Sequence, residues 1–279
     1  MGAALALMAS VFWGSGDFLG GTLSRRLHPV AVMGAAQAIA LVGLLLVAAA
    51  TGELDAGGYV VWGVLGGLIG VVALGCFYAA LAGGTMGVVA PVAATGAVVP
   101  VAIGLFRGES PRVGQLIGIA ITIIGVILAS GPERGGATTG RTTRRPLLLA
   151  AVASVGFGTT LVVVAEGSEH SVVMTLATMR TVNATVSAVL LLVVVRNVAR
   201  PTQRDLPALA LVGTTDAAAN GFYGLATGTA LVSVSAVLAS LYPAVTALLA
   251  WRFHHERLRR EQVAGVAATL VGVALIAAG

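Results

Sequence analysis

The sequence predicts an all-α membrane protein of ten transmembrane helices, arranged as two inverted five-helix repeats. Three observations predict it. Of 279 residues, 57% are hydrophobic and only 10% charged, against roughly 25% charged in a soluble domain. The apolar residues gather into ten runs, and a hydrocarbon core about 30 Å thick needs roughly 20 such residues per helix. Finally, Ala97–Leu128 recurs without a gap 147 residues later as Ala244–Leu275, with 12 of 32 positions identical. Matches of small apolar residues mean little here, but Phe106/Phe253, Glu109/Glu256, Arg112/Arg259 and Gln115/Gln262 are also shared.

The first run, Ala3–Leu23, follows Met1 and Gly2 with no basic leader. Trp13–Asp17 makes a poor signal-peptide core, so the run reads as a mature span. Val30–Ala50, Tyr59–Ala82, Val88–Phe106 and Gly114–Ser130 complete the first five. The second five are Leu147–Ala165, Val172–Val195, Pro207–Ala230, Val234–Phe253 and Val263–Ala278. None alternates with a period of two, and lipid offers the backbone no partner outside its own segment, so each reads as a helix. Pro91, Pro100 and Pro243 fall inside spans, where each removes a backbone hydrogen bond and favours a kink. The spacings of Gly63, Gly66, Gly67 and Gly70, and of Gly114, Gly118 and Gly125, suit close helix packing. Between the halves, Gly131–Pro146 reads GPERGGATTGRTTRRP, without periodicity. The first repeat is therefore set at 1–131, a linker loop at 132–146 and the second repeat at 147–279. Further matches join the halves: Trp13-Gly14-Ser15 returns as Phe157-Gly158-Thr159, and Phe77-Tyr78 as Phe222-Tyr223. Five spans per half is an odd number, so the second half enters the membrane from the opposite side.

The net charge of +5 comes from 16 Arg and no Lys. Nearly all lie between apolar runs rather than in a basic patch with interleaved aromatics, which argues against nucleic acid. Thirteen of these Arg fall in odd-numbered loops and two, Arg107 and Arg112, in even-numbered ones. Short Arg-bearing loops stay in the cytoplasm, which predicts both termini outside. The single cysteine, Cys76, allows neither a disulfide nor a paired-cysteine metal site. His254 and His255 are adjacent and point to different faces, so no metal is expected. Gly14 and Gly16 lack the strand and Lys of a phosphate loop, so neither ATP nor another cofactor is expected. Glu109 and Glu256, each three residues before an Arg, read as caps of short turns.

A charge at the bilayer centre costs a few kcal/mol even by insertion scales, so Asp17, Arg180 and Asp216 are the residues to explain. Asp216, Asn220, Tyr223 and Thr227 share one stripe of the eighth span, and Arg180, Asn183 and Ser187 one of the seventh. Such stripes would lack partners in lipid. One reading is a polar solute path in which Arg180 holds an anionic group and Asp17 or Asp216 takes up a coupling proton. Under the other, Arg180 is the permanent partner of one Asp and only locks helices together, with Asn183, Ser187 and Thr227 as interhelical glue.

With these residues in place, the chain resembles the drug/metabolite transporter superfamily, in its EamA-type branch. The resemblance covers nearly the whole chain. It rests on Trp13-Gly14-Ser15, Phe77-Tyr78-Ala79-Ala80-Leu81, and the run from Ala90-Pro91 through Glu109 and Gln115 to Gly118 and Gly125. In the second half it rests on Phe222-Tyr223, Tyr242-Pro243-Ala244, and the run from Glu256 through Gln262 and Gly265 to Gly272. It implies a secondary carrier with a central cavity between the halves, working by alternating access. It also implies cytoplasmic termini, which contradicts the Arg count. Relatives often carry an Arg in the second span, where Gln37 stands here; its counterpart Arg180 keeps the charge. By their placement in these segments Tyr78, Thr95, Tyr223 and Tyr242 join the candidate cavity residues, as does Trp13, four residues before Asp17 on the first span.

The resulting expectation is a multi-pass protein of the cell membrane, a secondary active transporter of a small organic metabolite or drug-like solute. It would work outward, driven by a proton or solute gradient, as a monomer or homodimer. The rival from another class is a non-transporting membrane sensor or partner subunit, although no long loop or tail exists to do the sensing. An enzyme is not expected, since none of the four His lies within four residues of an intramembrane acid.

Overall fold

The computed structural model describes residues 1–53, 57–84, 86–129, 144–196, 198, 201–254 and 260–278. All regular structure among them is helical. The first half contributes α1 (Gly2–Ser24), α2 (Pro29–Thr51), α3 (Tyr59–Gly83), α4 (Met86–Ala94), α5 (Val98–Phe106) and α6 (Val113–Ala129). The second contributes α7 (Arg144–Ser168), α8 (Val172–Val193), α9 (Leu206–Thr227), α10 (Val232–Ala239), α11 (Tyr242–His254) and α12 (Arg260–Ala278).

Among the described residues, seven helical stretches are long and apolar enough to cross a membrane: α1, α2, α3, Val89–Phe106, α7, α8 and Val232–His254. α6, α9 and α12 are not among them, and α9 carries Thr214, Thr215, Asp216 and Asn220 within its apolar sequence. Local chemistry sets several boundaries. Pro29 opens α2 while His28 Nδ1 accepts from the Val30 N–H at 3.3 Å, and Gly52, at φ 75°, closes it. Ser171 caps α8, its Oγ accepting from the Met174 N–H at 3.1 Å. Gln115 Oε1 accepts from the Arg112 N–H at 2.9 Å at the start of α6, which accounts for the first of the two repeated glutamines. The predicted linker is shorter than expected at its end. Arg144, Arg145 and Pro146 already belong to α7, where a proline in the first turn loses no helical hydrogen bond. Residues 130–143 and 255–259, including His255, Glu256 and Arg259, lie outside the described residues.

Two of the predicted spans are broken. A 3₁₀ turn, Thr95–Ala97, separates α4 from α5, and Ser240-Leu241 separates α10 from α11. Pro91 and Pro100 flank the first break and Pro243 follows the second, so each prevents one helical bond near the bend. Glycines of the opposite half receive the breaks. A Cβ on Gly158 would collide with the Gly96 carbonyl, and one on Gly14 would lie 2.5 Å from the Tyr242 carbonyl. Gly14 and Gly158 are repeat equivalents, so the repeat conserves a backbone approach rather than a side chain.

The packing between halves is reciprocal. α1 lies on α9 and α3 on α7, α2 on α8, and α6 on α12. α1 also meets α10 and α11 while α7 meets α4 and α5. Gly63, Gly66 and Gly67 bring α3 onto Thr178, Met179 and Val182 of α8, and Gly272 lets α12 approach the Gly118 carbonyl of α6. Gly114 differs from this pattern, since nothing lies within 4 Å of its would-be Cβ.

The first, seventh and ninth loops converge at one end. There Arg26 pairs with the buried Asp205 at 2.6 Å, and Thr22 Oγ1 lies 3.3 Å from His254 Nε2. Asp205 also accepts from the Thr202 N–H and hydroxyl at 2.8 and 2.9 Å. Those bonds, with the Arg26 guanidinium, hold its carboxyl below the usual carboxylate range. At the other end Ser171 donates to Glu53 at 2.7 Å, and Arg107 pairs with Glu166. Glu109 does not cap its own turn. Its carboxylate accepts from the Val232 and Ser233 N–H groups at 2.9 and 3.1 Å, closing the N-terminus of α10 in the opposite half, where negative charge is favourable.

A candidate solute site at the centre of the bundle

Four helices from both halves converge on one carboxylate. Asp216 of α9 accepts from Trp13 Nε1 of α1 at 3.2 Å, from Gln37 Nε2 of α2 at 2.9 Å, and from its neighbour Asn220 at 3.2 Å. Arg180 of α8 closes the cluster, its guanidinium 3.0 Å from Asp216 Oδ2. The i, i+4 spacing of Asp216 and Asn220 puts both on the face turned to α8. The seventh- and eighth-span stripes thus meet at Arg180 and Asp216. Ser187 takes no part, since its hydroxyl donates to the Asn183 carbonyl at 2.6 Å and its Cβ faces Gly34 of α2.

Around this cluster lies a cavity of about 80 Å³, room for a few waters. Trp13, Asp17, Phe157, Thr160, Arg180, Asn183, Asp216, Asn220, Ser240 and Tyr242 line it, with small apolar residues on either side of the α4–α5 break. Trp13 is the hub of its aromatic wall, with the Tyr223 ring 6.1 Å and the Tyr242 ring 6.5 Å away. Asp17 sits one turn beyond Trp13 on the same helix and is 8% exposed. Unlike Asp216, its carboxylate meets no hydrogen-bond donor among the described residues. Several buried polar atoms are also unmatched: Nε and one terminal nitrogen of Arg180, Asn183 Oδ1, Thr160 Oγ1 and the hydroxyls of Tyr223 and Tyr242.

Of the residues singled out from sequence, Trp13, Asp17, Arg180, Asn183, Asp216, Asn220 and Tyr242 line the cavity, and Gln37 braces it from behind through Asp216. Three stand apart. Tyr78 is buried under Gly20, where its hydroxyl would lie 2.5 Å from an added Cβ. Thr95 binds Ser154 Oγ at 3.0 Å across the halves, and Tyr223 stacks behind Trp13. Phe157, Thr160 and Ser240 are lining residues that sequence reasoning passed over. The repeat held the signal for one of them, because Phe157 is the counterpart of Trp13 and lines the cavity as Trp13 does. Asp17 and its counterpart Leu161 likewise both line it. The cavity is pseudo-symmetric in position and asymmetric in chemistry.

A second, larger cavity of about 460 Å³ lies toward the Arg107 end, lined by Arg107, Glu109, Glu166, Glu169 and Thr227 among others. No group of three metal-ligating side chains occurs among the described residues.

The sequence matches the EamA-like transporter family over residues 1–131 and again over 144–278. No curated protein matches it. A crystal structure of a protein 18% identical in sequence superposes with a TM-score of 0.76, covering 98% of this chain and 95% of its own. That likeness carries the fold alone.

Proposed function

The chain belongs to the EamA-like transporter family and is a multi-pass integral membrane protein of the cell membrane; on that premise we propose that it is a secondary active transporter exporting a small organic solute by alternating access. Its ten spans form two inverted five-helix repeats that rock about the central cavity. The reciprocal packing of the halves supports this arrangement. So does the position of both helix breaks against the opposite half, since carriers built from inverted repeats bind solute beside discontinuous helices near the midplane.

The observation that carries the reading is the polar cluster of Asp17, Arg180 and Asp216 on the cavity where the two halves meet. Asp216 and Arg180 neutralise each other and orient the site. Asp17, which meets no donor among the described residues, is the group that exchanges a coupling proton. Ion pairs and hydrogen bonds join the halves at both ends, Arg26–Asp205 at one and Arg107–Glu166 with Glu109 at the other. In alternating access these contacts break in turn, one end opening while the other stays joined.

The test is solute counterflow in proteoliposomes with a metabolite panel, repeated on a Cys76→Ala background with cysteine pairs at 107/166 and at 26/205. Cross-linking either pair is expected to stop flux, and reduction to restore it. Flux that continues with one end locked would defeat alternating access.

A further inference from the structure

We propose that the solute is an organic monocation, an amine or quaternary ammonium group on an apolar or aromatic body, and that it shares the Asp17 carboxylate with the coupling proton. This deepens the transport reading and rests on it. The lining carries two carboxylates, Asp17 and Asp216, and one guanidinium, Arg180. Arg180 lies 3.0 Å from Asp216 and balances it, while Trp13, Gln37 and Asn220 donate to the same carboxylate.

One negative charge is left over, on Asp17. The titratable and charged groups facing it are Asp216 of α9, Tyr78 of α3 and Tyr242 of α11, with Arg180 of α8 across the cavity. α2 brings only the neutral Gln37 toward this cluster, and α10 offers serines. No unbalanced cation faces Asp17 among the described residues. A buried charge without a partner is costly. A neutral solute or a zwitterion leaves that charge as it stands, and an anion adds to it. A monocation brings the cavity to neutrality, as a proton does.

The walls fit the same class. Trp13, Phe157 and Tyr242 line the cavity, and aromatic faces attract cations, Trp most strongly. The exchange balances: one proton joins an Asp17 oxygen as one monocation leaves, and the net charge of the cavity is unchanged. Proton and solute therefore compete one for one.

The test uses three solutes with the same ring and two-carbon chain: phenethylamine, zwitterionic phenylalanine and anionic 3-phenylpropionate, with tetraethylammonium as a quaternary probe. Calorimetric titration of the purified protein in nanodiscs is expected to rank a cation first by at least about 10-fold, the scale of one buried charge contact. Its affinity is expected to fall as pH is lowered from about 8 to about 5. Asp17→Asn should lose both the preference and the pH dependence, and Asp17→Glu should keep the preference. Equal or tighter binding of phenylalanine or phenylpropionate overturns the proposal, as does absence of binding by both cations or undiminished binding to Asp17→Asn. Counterflow of the same solutes separates the two levels. Cations that bind without exchanging defeat the transport reading and leave the cation class standing. Exchange of the zwitterion or anion alone defeats the cation class and leaves transport.

Discussion

Asp216 is the residue on which the site depends, because a single carboxylate serves Trp13, Gln37, Arg180 and Asn220. Removing one partner of a buried ion pair strands the other, at a cost of about 3–5 kcal/mol. Asp216→Ala is expected to lower thermal stability on that scale. The double variant Arg180→Met/Asp216→Leu should recover most of it yet transport nothing. Flux in the double variant would mean that the pair only locks helices, the alternative left open by the sequence. Asp205 gives a separate expectation at the membrane end. Its carboxyl is held below the usual range by the Thr202 N–H and hydroxyl and by Arg26, so its folded-state affinity for a proton is depressed. The contribution is full above the unfolded value of about 4 and is lost as pH falls through the lowered folded value. Melting temperatures of the wild type and Asp205→Asn should therefore differ at neutral pH and converge in acid. A gap that persists into strong acid would assign the effect to packing. At this scale the sequence revealed which residues were anomalous but not which acid was paired. A carboxylate's donors come from helices up to 203 residues away, as Trp13 does for Asp216.

At the level of elements, the two broken spans differ most from a reading of plain helices. The prolines marked where bends were affordable, yet the breaks fall at Thr95–Ala97 and Ser240-Leu241 because glycines of the other half admit them there. Gly96→Ala is expected to destabilise the protein by about 1–3 kcal/mol, since its Cβ would overlap the Ser154 carbonyl in a packed interface. Gly114→Ala has open space and should be neutral or slightly stabilising, because alanine favours a helix over glycine. Equal melting temperatures for the two variants would contradict this account of the break. Glu109 makes a related point. Its recurrence as Glu256 suggested a local cap, whereas its oxygens close α10 in the opposite half. A local pattern cannot distinguish these two uses, because both need a carboxylate beside free N–H groups.

For the whole molecule, loops one, seven and nine gather at one end through Arg26–Asp205 and Thr22–His254, and thirteen of the loop Arg belong to odd-numbered loops. That end is expected to face the cytoplasm, with a reporter fused at Gly279 reading outside. A cytoplasmic Gly279 would overturn the Arg argument in favour of the orientation that the family resemblance implies. The sequence by itself determined the membrane setting, the helical class, the duplication and the family. Each of these follows from composition, run length or residue order, which survive without knowing what touches what. Only the tertiary structure decided that, among the described residues, Asp216 meets donors while Asp17 does not, and that the shared glycines receive the other half's broken helix. Those are properties of contacts between segments roughly 60 to 230 residues apart, and in so apolar a chain helical periodicity gives the face of a residue but not the helix it meets.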